Sequence, residues 1–388
     1  MDKLSIAIVG GGIGGLTAAL GLARAGFRPV VYEQAPALGE VGAGLSVTPN
    51  AVKGLAFLGL DDALSKMASE PLQQIVRHHQ TNQVMVHIDR KPCRTQYGAA
   101  YLQIHRADMH QILVKAFTEM VPDGIRLDAA VASMTTGESG CTLTMSNGTQ
   151  TTADLVIGAD GLRSNVRQWC FGGDAVRYTG HVAYRGLIPR SDLGDLEMAE
   201  GSCAWAGPGR VFLRYPLRGG ALINCVMLGR SDHWAEESWS AQADIAELKG
   251  ALAGWPDEVQ RLIDAINKDR CFKWGLFDRA PLSSITCPRV ALLGDAAHPM
   301  LPFFAQGAAS AIEDGVVLSR CMAASRNLTE ALERYQHARL ERVTLMQAQS
   351  SEGGERLQAS NTENLRKEPL KNEDTLGIFH YDPASVPI

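Results

Sequence analysis

Short apolar runs punctuated by glycine give the outline of the chain. Residues 4–9 form an apolar run that ends in glycines, the pattern of a buried parallel strand. Residues 16–25 carry helical spacing and stop at Gly26, which suits a helix C-terminus. Residues 29–33 predict a second strand, so the chain opens as a β-α-β unit. Further on, 105–120 predicts a helix opening near Asp108. Residues 142–145 and 152–157 predict strands about the turn Ser146-Asn147-Gly148. From about 175 to 280 the pattern changes to short runs mixed with Arg, Gly, Pro and aromatics. The runs at 182–186, 211–216 and 221–228 predict an antiparallel sheet, with one helix near 243–252. Residues 289–293 return to the buried-strand pattern, and 308–322 and 328–349 predict two long helices. The final 30 residues are polar and are expected to wrap the surface.

A β-α-β start, a β-rich middle and a return to strand then helix predict one nucleotide-binding domain interrupted by a substrate domain. The expected division is 1–175 with 281–350 for the first and 176–280 for the second. Residues 70–105 are a candidate addition to the substrate sheet, and 351–388 a surface-wrapping segment.

Composition narrows the function classes. The 388 residues are 45% hydrophobic and 20% charged, enough for a sizeable core. A net charge of -5 gives no polyanion-binding footprint, so nucleic acid is not an expected partner. The apolar start lacks a basic leader and carries a glycine string that a signal peptide does not need. No apolar run reaches the length of a membrane span. The eight cysteines are irregularly spaced without a C-x-x-C pair, which reads as reduced thiols of a cytoplasmic protein. No metal constellation stands out. His78 and His79 are adjacent, so on a strand they would face opposite ways.

Three motifs carry chemistry. Gly10-Gly11-Gly12-Ile13-Gly14-Gly15 satisfies G-x-G-x-x-G between a strand and a helix. Gly10 permits the tight turn, Gly12 lets a pyrophosphate approach the backbone, and Gly15 lets the helix pack on the strand. Glu33 ends the second strand, where a carboxylate can accept ribose hydroxyls. Gly294-Asp295-Ala296-Ala297-His298-Pro299 follows the strand at 289–293, and a glycine-containing helix start at Gln306-Gly307-Ala308 lies close behind. Gly158-Ala159-Asp160-Gly161 follows the strand that ends at Ile157; taken alone, this Asp-Gly is an ordinary turn.

With these motifs in this order, the sequence resembles the group A flavoprotein monooxygenases, which share the fold of para-hydroxybenzoate hydroxylase. The resemblance spans about residues 3–350. Within the family it is most similar to the branch of salicylate hydroxylase, 3-hydroxybenzoate 6-hydroxylase and 6-hydroxynicotinate 3-monooxygenase. That impression rests on Gly42-Ala43-Gly44-Leu45-Ser46-Val47-Thr48-Pro49-Asn50, on 97–108, and on 298–309. The resemblance implies an α/β fold: a Rossmann-type FAD-binding domain interrupted by a mixed-sheet substrate domain, with C-terminal helices.

It also implies non-covalent FAD, NADH or NADPH as donor, and O2. The activity implied is hydroxylation of a small hydroxylated aromatic or pyridine carboxylic acid through a flavin C4a-hydroperoxide, with or without decarboxylation. A homodimer is compatible with it. Gly10, Gly12, Gly14, Gly15, Glu33 and Gln34 would hold the adenosine half of FAD. Arg106 would meet the diphosphate or ribityl chain, and Gly294 and Asp295 the ribityl hydroxyls. Asp160 and Gly161 would serve FAD and the nicotinamide donor. Ala43 and Gly44 would flank the isoalloxazine, with Pro302, Gly307 and Ala308 at its pyrimidine edge.

Chemistry at the ring needs a dry pocket and a partner for the phenol proton. The candidates are His181, Tyr215 and Pro299 as catalytic residues, with His298 as an alternative base. Ser46, Tyr184, Arg185, Tyr215, Phe303 and Phe304 are the candidate substrate contacts. Two departures stand out. Ala309 replaces an Asn common in the family, and Ser46 stands where the 6-hydroxynicotinate enzyme carries His, which speaks against identity with that enzyme. The rival readings are a non-hydroxylating flavin oxidoreductase, an epoxidase or N-hydroxylase of the same fold, and a flavin-binding protein without turnover.

Overall fold

The computed structural model describes residues 4–39, 44–231, 241–357 and 375–388. Its first layer is a six-stranded sheet in the order Thr286–Cys287, Val290–Leu292, Leu155–Gly158, Ile6–Val9, Val30–Tyr32, Ile125–Arg126. All its pairings are parallel except that of the edge strand Thr286–Cys287. Ile6–Val9 and Leu155–Gly158 are buried throughout, which explains their uninterrupted apolar sequences. Helices Ile13–Arg24, Arg106–Met120 and Gly307–Ala324 pack with this sheet into the main core.

The second layer is an eight-stranded mixed sheet in the order Ala241–Gln242, Phe272–Asp278, Arg177–Pro189, Leu222–Arg230, Arg210–Leu217, Ser202–Gly207, Gln73–His78, Val84–Asp89. Gln73–His78 joins it in parallel beside Ser202–Gly207, so two strands from early in the chain extend the sheet. One face packs Val182, Tyr184, Ile223, Cys225 and Met227 against helices Ile245–Ala251 and Asp257–Ala265. The other presents Ala183, Val226, Leu228, Trp274 and Leu276 toward Leu301 and the first layer.

Three details differ from the sequence reading. The run at 152–157 is two strands in two sheets. Gln150–Ala153 belongs to a small antiparallel sheet, and Leu155–Gly158 to the main one. The break falls at Asp154, whose carboxylate accepts from the Ser5 backbone N–H and hydroxyl, both at 2.8 Å. A second helix, Asp257–Ala265, lies beyond the one predicted near 243–252 and buries Val259, Leu262 and Ile263. Near the C-terminus, the long helix continues to Leu357, and Ile378 and Phe379 are fully buried beside Tyr97 and Tyr101. The end of the chain therefore completes a core as well as crossing the surface.

Candidate active site

A cavity of about 640 Å³ lies between the two layers. The strand Ile6–Val9 delivers the glycine turn to its edge. Gly10 has φ +106°, and a β-carbon there would stand 2.3 Å from the Ala159 carbonyl oxygen, so glycine is required. A β-carbon on Gly12 would meet nothing within 4 Å, leaving an open cradle over the backbone. The helix Ile13–Arg24 starts there with no side-chain cap and no acid in its first turn. The helix Gly307–Ala324 also starts uncapped, and Gly307 and Ala308 line the same cavity. Two helix N-termini with their partial positive charge thus converge on one space.

Asp295 is open to this cavity yet enclosed by the surrounding protein. That enclosure raises the pKa of its carboxyl, against the pull of Arg106 and His298. Its turn is held from behind. The Gly294 N–H donates to Asp314 at 2.9 Å, and His298 Nε2 lies 2.6 Å from the same carboxylate oxygen. Burial would raise the Asp314 pKa, but His298 and Arg339 hold it down, to about 2. Glu33 accepts from the Gly11 N–H at 2.8 Å and the Ala35 N–H at 2.9 Å, beside the exposed Gln34. Gly14 and Gly161 line the cavity, and Gly15 sits against the Gly10 carbonyl.

A dinucleotide fits this arrangement. The open Gly12 cradle and the uncapped helix would suit a diphosphate, and the outward carboxylate of Asp295 would suit polyol hydroxyls. The second helix N-terminus would suit electron-rich carbonyls.

The opposite wall is the inner face of the eight-stranded sheet, with Ala183, Leu213, Val226, Leu228 and Trp274 around Arg185 and Tyr215. The Arg185 guanidinium lies over the Trp274 ring at 4.5 Å. Its Nε is buried without a hydrogen-bond partner, and no carboxylate among the described residues pairs with it. Burial lowers its pKa to about 10, with Arg106 acting in the same direction. A cation in an apolar wall without a counter-ion is costly unless a ligand supplies one. Tyr215 is buried against Gly44, and burial pushes its hydroxyl well above the ordinary phenol pKa, against the pull of Arg185. Ser46, Pro299, Pro302, Phe303 and Phe304 also line the cavity, with Gln74, Gln103 and Ser202 among its polar residues.

Several expected residues stand elsewhere. Tyr184 follows strand alternation to the far face, where it packs in the outer core with Lys273 over its ring at 5.0 Å. It cannot share a pocket with its neighbour Arg185. His181 stands one layer behind the lining, edge-on to Phe303 at 5.6 Å, with Nδ1 3.2 Å from the Thr179 hydroxyl. His298 is buried against Asp314 and does not face the cavity. The Asp160 carboxylate is turned to the helix Asn165–Phe171. It accepts from the Ser164 hydroxyl at 2.5 Å and from the N–H groups of Asn165 and Val166 at 2.8 and 3.1 Å. It is therefore a helix-start residue rather than one directed at a ligand. Ala43 lies outside the described residues.

Trp274 and Asn224 join the site without being among the candidates the sequence offers. Trp274 sits on Phe272–Asp278, where alternation alone could have flagged a strand. Asn224 is a polar residue inside the apolar run at 221–228, and that was a usable signal. Fully buried, it accepts from the Gly44 N–H at 2.9 Å and ties the glycine-bearing strand Gly44–Val47 to the eight-stranded sheet.

The sequence matches the FAD binding domain family over residues 3–182 and 269–350. It is 38% identical to a 3-amino-4-hydroxybenzoate 2-monooxygenase of Streptomyces platensis over 91% of this chain and 88% of that protein. It is 35% identical to the 6-hydroxynicotinate 3-monooxygenase of Pseudomonas fluorescens, covering 99% and 96%. Among solved structures, Klebsiella pneumoniae HpxO complexed with FAD and uric acid superposes with a TM-score of 0.87 at 26% identity, over 98% of this chain and 97% of that one. A salicylate hydroxylase substrate complex does so with a TM-score of 0.83 at 27% identity, over 98% and 96%.

Proposed function

Since this chain belongs to the FAD-binding-domain family of flavoprotein aromatic monooxygenases, we propose that its substrate is a small hydroxylated benzene or pyridine ring bearing a carboxylate, held by Arg185. The observation that carries the reading is the Arg185 guanidinium, set in a mostly apolar wall with no carboxylate partner among the described residues. The relatives named for aminohydroxybenzoate and hydroxynicotinate support the same class.

The cofactor is FAD, with NAD(P)H as the electron donor; when bound, FAD supplies the oxygen activation that the side chains lack. Gly12, Gly14 and Arg106 would hold its diphosphate, Glu33 its ribose, Asp295 its ribityl chain, and Gly307 and Ala308 its pyrimidine edge. Trp274, Leu213, Phe303 and Phe304 exclude water from the ring. Arg185 fixes the ring through its carboxylate. The neutral Tyr215 hydroxyl serves as a hydrogen-bond donor to the ring oxygen, which favours its ionised, electron-rich form. Tyr215 does not act as the base, because burial keeps its own proton on. Pro299 supplies a rigid lining residue of the cavity. A cytoplasmic location belongs to the same proposal; no helix among the described residues is long and apolar enough to cross a membrane.

The test is NADH and NADPH oxidation with oxygen uptake across hydroxybenzoates, hydroxypyridine carboxylates and their decarboxylated counterparts, with and without catalase. Wild type should respond to acids without releasing peroxide. Arg185→Met should raise KM for the acids by about 100-fold, as loss of a charged hydrogen bond predicts, with FAD content unchanged. Equal response to acids and decarboxylated rings would remove Arg185 from this role.

A further inference from the structure

The helix Leu328–Leu357 carries two adjacent glycines, Gly353 and Gly354, at its last turn. Glycine is among the poorest helix formers, so the pair weakens the turn that holds it. The structure shows what the glycines make room for. A β-carbon at Gly353 would stand 2.4 Å from the Phe304 ring, and one at Gly354 2.5 Å from the Phe303 ring. Both distances are far inside van der Waals contact. Gly353 also lines the large cavity, as do Gln349 and Glu352 on the same face of the helix. The helix and the turn Pro302–Phe304 therefore build one wall together.

The two rings lean in different directions. Phe303 packs with the sheet residues around Trp274 and Leu276. Phe304 packs with Tyr97, Met346, Ile378 and Phe379. Behind Phe304 lie the buried side chains of this cluster, and in front of it lies the cavity. Packed interiors yield little, so a ring pushed by the helix moves into the free space.

We propose that Gly353 is a specificity-determining positioning residue: by leaving room for the Phe304 ring, it sets the width of aromatic ring that the cavity admits. This rests on the reading of the cavity as the seat of the substrate ring, but not on the carboxylate. An added methyl at position 353 narrows the site through Phe304, and a smaller side chain at 304 widens it.

The experiment titrates the FAD-loaded protein with benzoate, 2-naphthoate, phenol and 2-naphthol and follows the flavin absorbance. Relative to wild type, Gly353→Ala should weaken each two-ring probe against its one-ring partner by about tenfold, the scale of a lost methylene's worth of space. Phe304→Leu added to Gly353→Ala should return the ratio to the wild-type value. Phe304→Leu alone leaves the helix untouched and should shift the ratio toward the two-ring probes. Equal weakening of all four probes, no rescue, or an unchanged ratio in the Phe304→Leu protein would overturn the inference. Wild-type binding of phenol and naphthol without the acids would sink the Arg185 reading and leave the size ratio decisive. Wild type that binds none of the four would overturn this cavity as the ring's seat, and this inference with it.

Discussion

The Tyr215 ring lies directly on Gly44: a β-carbon at Gly44 would stand 2.4 Å from the tyrosine hydroxyl oxygen. The contact joins the substrate sheet to the strand Gly44–Val47, and Asn224 reinforces it by accepting from the Gly44 N–H at 2.9 Å. Gly44→Ala should therefore displace Tyr215 and lower kcat/KM by about 100-fold, with peroxide release rising as positioning is lost. Tyr215→Phe keeps the packing and removes only the hydroxyl, so it should impair substrate affinity or coupling with normal FAD content. Steady-state kinetics with peroxide detection separate the two. Unchanged kinetics in Tyr215→Phe would remove its hydroxyl from the site.

Asp295 projects into the cavity from a turn braced by Asp314. If Asp295 holds the ribityl chain as proposed, Asp295→Ala should weaken FAD binding by about 10- to 100-fold, and the protein should purify largely without flavin. The flavin-to-protein absorbance ratio reads this directly. A fully yellow Asp295→Ala protein would sink the assignment.

Asp160 gives the opposite expectation. Its carboxylate is occupied by Ser164, Asn165 and Val166 at the start of a helix. Asp160→Ala should cost about 1–2 kcal/mol of stability, in the range of lost caps, and leave FAD affinity within a few-fold. Thermal melts and flavin titration distinguish the roles. A stable protein that loses flavin would show the carboxylate to be a cofactor ligand.

The buried group Asp314, His298 and Arg339 should mark the acid limb of stability. Asp314 is held at about 2 in the fold, below the ordinary carboxyl value of about 4. A depressed carboxyl contributes stability that is fully present above the unfolded pKa and is lost as pH falls through the folded one. The contribution is on the order of 2 kcal/mol, lost between about pH 4 and 2. Asp314→Asn should lower Tm at neutral pH, and the gap to wild type should narrow once pH drops below 4. A gap of constant size down to pH 2.5 would contradict the pairing.

Much of the flavin half was legible because its signals are local. A strand, a glycine turn and a helix are set by apolar period and by backbone positions such as Gly10, which the chain writes within a few residues. The Gly294-Asp295 turn could be read in the same way. The substrate half was not, because its geometry depends on which elements cover which face of a sheet. Alternation alone says that Tyr184 and Arg185 oppose each other, but only the docking of Ile245–Ala251 and Asp257–Ala265 on one face sends Tyr184 outward and Arg185 into the cavity. His298 and Asp160 look available in sequence, yet in the fold the distant Asp314 takes up His298 Nε2 and neighbouring groups take up the Asp160 carboxylate. The sequence by itself determined the nucleotide-binding frame, since periodicity and glycine spacing act over a few residues. Only the tertiary structure decided that Arg185 has no carboxylate partner among the described residues and that Gly353 meets Phe304, because both follow from side chains brought together across the chain.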